Sequence, residues 1–176
     1  MAKRRIDHLD RITAQWRRER PDLDVTPLAL LGRLLRFAQF ADDTLAEGVQ
    51  PYGLQRGWFD LLATLRRAGP PYELNPTQLI EATLLSSGGM TKRLDRLVEE
   101  GLVERRPDLH DRRGTLVRLT RRGKTTIDKA LEAHLRNEEA LLCSLSAADR
   151  RALDSLLRML LAEVESTRRS SRPATS

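Results

Sequence analysis

The sequence predicts a mainly α-helical fold that carries one two-stranded β-hairpin. Through most of the 176 residues, apolar side chains recur at steps of three and four, as on the inner face of amphipathic helices. Two short segments, 102–106 and 115–119, alternate instead like paired strands and enclose a turn rich in Arg and Asp. A helix pair followed by a hairpin and another helix is the element order of a winged helix-turn-helix core. We therefore predict such a core, with terminal helices that form a dimer interface.

Composition narrows the class of protein. The chain has 31 Lys and Arg against 25 Asp and Glu, a net charge of +6, and no apolar run near the roughly 20 residues of a membrane span. With a single Cys143 and three scattered histidines, neither a disulfide, a metal site nor a cofactor is expected. No nucleophile with its base, carboxylate pair or phosphate loop occurs at a useful spacing, which excludes an enzyme. We expect a cytoplasmic protein.

Two helices are predicted before the core. In residues 6–20, an apolar stripe that includes Trp16 ends at Arg20, and residues 1–24 form an N-terminal extension. Thr26 is the predicted cap of a second helix, with Pro27 in the first helical position, where its missing N–H costs nothing. This helix continues to about Gly48, and residues 25–50 form the first dimerisation element.

The core is assigned to residues 51–119. Turn residues and glycines divide it into a helix over 55–68, a short helix from Asn75, a recognition helix from Ser86 or Ser87 to Gly101, the two strands, and the wing turn 107–114. The helix over 55–68 is expected to direct Trp58, Leu61, Leu62 and Leu65 inward. The recognition helix is expected to bury Met90, Leu94, Leu97 and Val98 on one face.

Residues 120–165 are assigned to two further dimerisation helices. Thr120 caps the first, and Ser146 with Asp149 forms a capping box that opens the second. The second helix carries a wide apolar stripe close to the chain end, formed by leucines at positions 153, 156, 157, 160 and 161 and by Val164. We predict that this stripe pairs with a second copy; an intramolecular helical pair is the alternative. Residues 166–176, rich in Ser and Arg, are predicted to be disordered.

Positive charge concentrates on the recognition helix and wing. Between Lys92 and Lys124 there are eleven Lys or Arg and six Asp or Glu, which accounts for +5 of the net charge. Such clustering is typical of a surface that binds duplex DNA. On the outward face of the helix, the candidate DNA-binding residues are Ser86, Ser87, Gly88, Thr91, Lys92 and Arg96.

The motif Asp111-Arg112-Arg113, followed by Leu119-Thr120 and Gly123, resembles the MarR family of bacterial winged-helix regulators over roughly residues 27–164. The resemblance implies a nucleoid-associated homodimer, with recognition helices in successive major grooves of a palindromic site, about 34 to 36 Å apart. It also implies that Arg113 enters the minor groove, that Asp111 orients the wing arginines and that Arg112 adds charge. We expect a repressor whose partner is double-stranded DNA.

A finer resemblance is to the urate-responsive branch of that family, whose extra N-terminal helix bears a Trp. The residues that match its ligand site are Trp16, Asp60, Arg93 and Arg105. At about 100° per residue, Arg93 lies about 40° from Leu97, at the edge of the apolar stripe, and can reach inward. Two arginines suit a planar organic anion such as urate or another purine or aromatic acid.

Alternatives remain for both the ligand site and the function. Asp60 and Arg93 could form a structural ion pair while Trp16 only packs. The protein could be a constitutive repressor without a ligand, or a winged-helix module that binds another protein.

Overall fold

The computed structural model describes residues 6–83, 89–108 and 114–170, with side chains up to residue 167. Within these ranges the helices are α1 (His8–Glu19), α2 (Thr26–Val49), α3 (Arg56–Arg67), α4 (Pro76–Ala82), α5 (Met90–Glu99), α6 (Arg121–Leu141) and α7 (Ala147–Ser170). The strands are β1 (Glu73–Leu74), β2 (Val103–Pro107) and β3 (Thr115–Leu119), and a single 3-10 turn, Gln50–Tyr52, follows α2. The chain divides into two compact units, residues 1–137 and 138–176.

Helix α1 packs against α2, and ion pairs connect the two helices. Asp7 caps α1 in a reciprocal capping box with Asp10. Both carboxylates also accept hydrogen bonds from Arg33 of α2, whose guanidinium lies 2.7 Å from Asp7 and 2.8 Å from Asp10. Leu9 packs closely on Gly32, where a Cβ atom would lie 2.6 Å from a Leu9 methyl carbon. The N-terminal extension is therefore a docked helix.

The predicted cap of α2 is wrong by one residue. Thr26 is the first residue of the helix, Val25 occupies the cap position, and Val25 provides no side-chain hydrogen bond. The carboxylate of Asp24 accepts a hydrogen bond from the Thr26 N–H at 2.9 Å. Asp24 is therefore the acceptor at the helix start, a role that was predicted for the Thr26 hydroxyl. Hydrogen bonds from the Thr26 hydroxyl and from this N–H lower the pKa of Asp24.

The hydrophobic core lies between α3, α4, α5, the sheet and the first half of α6. Its fully buried side chains include Leu61, Leu65, Leu97, Val117 and Ile127. Leu61, Leu62 and Leu65 are buried as predicted, whereas Trp58 is only half-buried at the edge of the core. Val98 is 37% exposed, so the prediction that it belongs to the buried face of α5 is wrong.

The sheet has three antiparallel strands in the order β1-β3-β2, so the expected hairpin has an additional partner. Strands β2 and β3 pair along five residues each, with Arg105 opposite Val117. Strand β1 pairs with the other edge of β3, where Glu73 lies opposite Arg118. Strand β1 was not predicted, because two residues are too few to show an alternating pattern.

The recognition helix begins later than predicted. Helix α5 starts at Met90, and its cap is Gly89, which has a φ of +77°. That left-handed conformation is incompatible with a continuing helix and favours glycine, so a start at Ser86 or Ser87 is wrong. Residues 84–88, which include Ser86, Ser87 and Gly88, lie outside the described residues.

The start of α6 docks on the turn that follows α5. Thr120 caps α6 as predicted, because its hydroxyl accepts the Gly123 N–H at 2.9 Å. The Thr120 N–H donates to the carbonyl of Leu102 at 3.1 Å. A Cβ atom on Gly123 would lie 1.9 Å from that carbonyl oxygen, so only glycine fits here. The Thr120–Gly123 pair thus joins α6 to the end of the recognition helix.

The unit formed by residues 138–176 contains the predicted capping box and a longer helix than expected. Ser146 and Asp149 bond reciprocally at the start of α7. Leu156, Leu160 and Leu161 of its stripe are exposed. Since α7 reaches Ser170, the disordered tail predicted from residue 166 starts too early. The hydroxyls of Ser166 and Thr167 bond back to the Glu163 carbonyl, which satisfies them within the helix.

No helix in the described ranges has the length and apolar character needed to cross a membrane. Among the same residues, no three His, Cys, Asp or Glu side chains are grouped as metal ligands would be.

Candidate nucleic-acid interface and neighbouring cavity

Helix α5 has one buried face and one cationic face. Met90, Leu94 and Leu97 are buried, and the opposite side exposes Thr91, Lys92 and Arg96. Arg96 forms an exposed ion pair with Glu99 at 2.8 Å. Exposed pairs of this kind are weak, so Arg96 is available to exchange Glu99 for an anionic partner. We call this surface, formed by Thr91, Lys92 and Arg96, the cationic face.

The other predicted DNA contacts lie outside the described residues. They are Ser86, Ser87 and Gly88, before α5 in the sequence, and Asp111, Arg112 and Arg113, between β2 and β3 in the sequence. The described base of the wing is closed by the pairing of Pro107 with Thr115 and by a 3.0 Å bond from the Asp108 N–H to the Gly114 carbonyl. The described part of the hairpin is therefore paired as far as Asp108 and Gly114.

A cavity of about 330 Å³ lies beside the cationic face, between the N-terminal ends of α3 and α5. Its lining combines three cations, an indole, an amide and a glycine: Gln55, Trp58, Gly89, Lys92, Arg93 and Arg96. Arg93 runs across α3, where a Cβ on Gly57 would lie 3.1 Å from its Nε. The prediction that Arg93 leaves the outer face of α5 is thus met, and its side chain enters what we call the α3–α5 cavity.

Asp60 belongs to a different charge cluster. It pairs with Arg56 at 3.7 Å, and Arg56 also approaches Asp42 of α2 at 3.4 Å. Burial raises the pKa of Asp60, and the opposing attraction of Arg56 is smaller. Among the described residues, Asp60 therefore pairs with Arg56, and the alternative that pairs Asp60 with Arg93 stays a prediction.

Arg105 and Trp16 also have their own neighbours. Arg105 of β2 forms an ion pair with Asp95 of α5 at 2.8 Å, with both side chains nearly half exposed. This contact ties the wing strand to the recognition helix. Trp16 lies on α1 and is 46% exposed. The proposed ligand roles of Trp16, Asp60, Arg93 and Arg105 stay predictions.

Trp58 and Gln55 were not predicted as cavity residues. Trp58 was predicted to lie in the core because it falls on the apolar stripe of its helix. The missed signal is its position near the helix start, next to Gly57, which allows a side chain from another helix to approach. Only the packing of α3 against α5 places Trp58 beside Arg93.

This arrangement defines a winged helix-turn-helix regulator: a recognition helix with a cationic outer face, followed by a β-hairpin on the same core. The comparisons with known proteins agree. A model of the MarR family matches residues 52–114. The regulator PecS of Dickeya dadantii is 40% identical over 146 residues, which cover 83% of this chain and 88% of PecS. The multiple antibiotic resistance protein MarR of Escherichia coli is 32% identical over 74% of this chain and 90% of its own length.

Solved structures give the same result. A cysteine-to-serine mutant of Escherichia coli MarR in complex with operator DNA superposes with a TM-score of 0.68 at 30% identity, covering 78% of this chain and 97% of the mutant. AbsC, a MarR family regulator of Streptomyces coelicolor, has a TM-score of 0.73 at 23% identity over 82% of this chain and 97% of AbsC, which supports the fold alone. The chain belongs to the MarR family. It is a DNA-binding transcriptional regulator and not an enzyme.

Proposed function

We propose that this regulator binds a palindromic duplex as a homodimer, acts as a repressor, and leaves the duplex when a planar organic anion binds beside its recognition helix. The observation that carries the proposal is the cationic face of α5, with Lys92 and Arg96 exposed on a helix whose other side is fixed in the core. Cations held at fixed positions can match phosphates and guanine edges of a major groove.

Two further observations support duplex binding. A relative that covers most of this chain was crystallised with operator DNA. Arg105 and Asp95 connect the strand of the wing to the recognition helix, which would let the two elements contact adjacent grooves as a unit. We propose that Ser86, Ser87, Gly88 and Thr91 add contacts at the helix start, and that Asp111, Arg112 and Arg113 provide the wing contacts.

The DNA-binding proposal is tested by the salt dependence of duplex affinity. Selection of bound sequences first supplies the palindrome; fluorescence anisotropy then measures Kd between about 50 and 200 mM salt. Lys92→Ala removes two cations from each homodimer, so it should weaken binding and reduce the slope of log Kd against log salt by about two. Lys129→Ala, which removes an exposed charge from α6, is the matched control and should leave the slope unchanged.

A duplex affinity that does not change with salt would contradict phosphate neutralisation. It would favour the alternative in which this winged helix binds a protein.

The homodimer is supported by apolar faces that single chains rarely leave exposed. Helix α2 exposes Leu31, Leu35 and Phe40, and α7 separately exposes its own leucine stripe. Contiguous apolar surface of this kind is typical of an interface between chains. We propose that residues 25–50 and 120–165 form the dimer. A monomer at micromolar concentration would favour the intramolecular alternative for α7.

The effector proposal is supported by the chemistry of the α3–α5 cavity. Its volume, about 330 Å³, is at the lower end of the range for small-molecule sites. Arg93 offers a planar fork to a carboxylate or to a purine oxygen, and Trp58 offers a flat apolar wall. Because Lys92 and Arg96 line the same cavity, an anion bound there would compete with DNA for these cations. Release of DNA by an effector typically corresponds to a coupling free energy of about 1 to 3 kcal/mol between effector binding and DNA binding.

Titration of urate, a second purine and an aromatic carboxylate into the protein–DNA complex tests this part. Arg93→Gln should abolish release by an anion that acts on the wild type. Single substitutions are then made at four positions, namely Trp16, Asp60, Arg105 and Trp58. Loss of response with Trp58→Leu favours the α3–α5 cavity, and loss with Trp16→Leu or Arg105→Gln favours the site predicted from sequence. If no anion changes duplex binding, the constitutive repressor is the better description.

A further inference from the structure

We propose that Tyr72 is a positioning residue that fixes the angle of the wing to the DNA-binding core. This inference rests on the proposed duplex binding, because its readout is the contribution of the wing to affinity. Tyr72 lies outside the cationic face and the α3–α5 cavity, at the point where the chain enters β1.

The backbone of Tyr72 is part of the sheet. Its carbonyl accepts the N–H of Leu119, the last residue of β3, at 3.1 Å. The next residue, Glu73, pairs with Arg118. Because β3 is the central strand, a displacement of Tyr72 moves the strand that carries one side of the wing.

The side chain of Tyr72 contacts two helices. The guanidinium carbon of Arg66, on α3, lies 5.1 Å from the ring centroid, and the Lys124 nitrogen, on α6, lies 4.5 Å from it. Lys124 also donates a hydrogen bond to the tyrosine oxygen at 3.1 Å. Arg66 is itself fixed by a 2.7 Å ion pair with Asp128 of α6. The ring is therefore held by two cations, one from each helix.

The conformation of Tyr72 indicates that its side chain has a specific role. Its φ is +63°, in the left-handed region, and no other described residue except glycine has a positive φ. Glycine or asparagine would adopt this conformation with less strain. A strained residue persists when its surroundings hold it, and such residues concentrate at functional positions. Here the holding contacts are the two cations.

A small rotation at this point is amplified along the wing. A five-residue strand spans about 16 Å at about 3.3 Å per residue, so a rotation of about 5° at its base displaces its far end by about 1.4 Å. This displacement exceeds the roughly 0.5 Å range of good hydrogen-bond distances. Loss of the Tyr72 contacts should therefore weaken wing contacts to DNA even though Tyr72 does not touch the duplex.

A double-mutant cycle tests the inference with the full-length protein and its selected palindrome. Tyr72→Leu keeps an apolar side chain and the net charge but removes the ring; we expect Kd for the duplex to rise about fivefold. In the background Arg112→Ala with Arg113→Ala, the same substitution should change Kd less than about twofold, because its effect passes through the wing. Tyr72→Phe, which keeps the ring between the cations, should restore most of the affinity.

Lys124→Gln supplies a second cycle if Tyr72→Leu lowers the melting temperature enough to disturb binding. Lys129→Gln, an equal loss of charge elsewhere on α6, is its control. An equal fold-change for Tyr72→Leu in both wing backgrounds overturns the inference and leaves the proposed function intact. If the wild type fails to bind any duplex, the proposed function fails and this inference fails with it.

Discussion

Helices α5 and α7 have apolar residues at similar spacings, but the apolar face of α5 is buried and that of α7 is exposed. Helix α5 buries Met90, Leu94 and Leu97 in the core, whereas α7 leaves Leu156, Leu160 and Leu161 exposed. Burying one leucine stabilises a protein by about 1.5 to 3 kcal/mol. Helix α5 gains this free energy when the chain folds, whereas α7 would gain most of it only when another surface covers its leucines. Periodicity therefore identifies an apolar face but does not identify what covers it.

The largest effect is expected from truncation of the buried face. Leu97→Ala should lower the free energy of unfolding by about 2 to 5 kcal/mol, because Leu97 is fully buried and leaves a cavity. Urea denaturation measures this change. The neighbouring Val98→Ala, at a 37% exposed position, should cost less than about 1 kcal/mol. Equal costs for the two variants would mean that the inner face of α5 is not the one described.

A charge on the exposed stripe should act on assembly instead of folding. Leu160→Glu should raise the dimer dissociation constant by about 100-fold, since it places a charge in an apolar interface. Analytical ultracentrifugation measures the shift. Ser155→Glu, off the stripe on the same helix, should leave the dimer unchanged. A dimer insensitive to Leu160→Glu would exclude α7 from the interface.

Gly123→Ala should disturb the contact between the start of α6 and the backbone of Leu102. The added Cβ would lie 1.9 Å from the Leu102 carbonyl oxygen, so the helix start must move. We expect a loss of about 1 to 3 kcal/mol in unfolding free energy, together with weaker duplex binding. Thermal unfolding and anisotropy measure the two effects. Gly53→Ala has no atom within 4 Å of the new carbon and tests the strain of a positive φ alone.

The smallest effect is expected where α1 is fastened to α2. Hydrogen bonding to Arg33 lowers the pKa of Asp7 below its ordinary 3.8, and the Asp7 N–H does the same for Asp10. Stabilisation by lowered carboxyl pKa values is present above the unfolded value and disappears as pH falls through the folded one. Arg33→Gln should lower the melting temperature by about 2 °C at neutral pH, and this difference should shrink below about pH 4.

Scanning calorimetry over that pH range provides the measurement. A difference that stays constant to low pH would show that the two carboxylates do not act through Arg33.

Local chemistry explains most of what was predictable. Asn75 and Ser146 start helices because short polar side chains can accept the first free N–H groups, which depends on a few adjacent residues. The pairing of β2 with β3 follows from alternation around a polar turn, and it is confirmed within one residue. Membership of the MarR family was likewise visible in the residues around the wing and at Thr120 and Gly123.

Misplaced features depend on neighbours distant in the sequence or on a single competing contact. Asp24 replaced Thr26 as the acceptor at the start of α2, and Gly89 delayed the start of α5. Strand β1 forms because β3 provides a free edge for pairing. The residue types of Glu73 and Leu74 do not predict a strand.

By itself, the sequence determined most of the helices, the β2–β3 hairpin and most of the apolar residues that face the core, because spacing and caps act over a few residues. Only the tertiary structure decided that Trp58 and Arg93 line one cavity, that Asp60 pairs with Arg56, and that Tyr72 lies beside Arg66 and Lys124. These contacts join elements separated along the chain. Their existence depends on how helices pack, which no local pattern records.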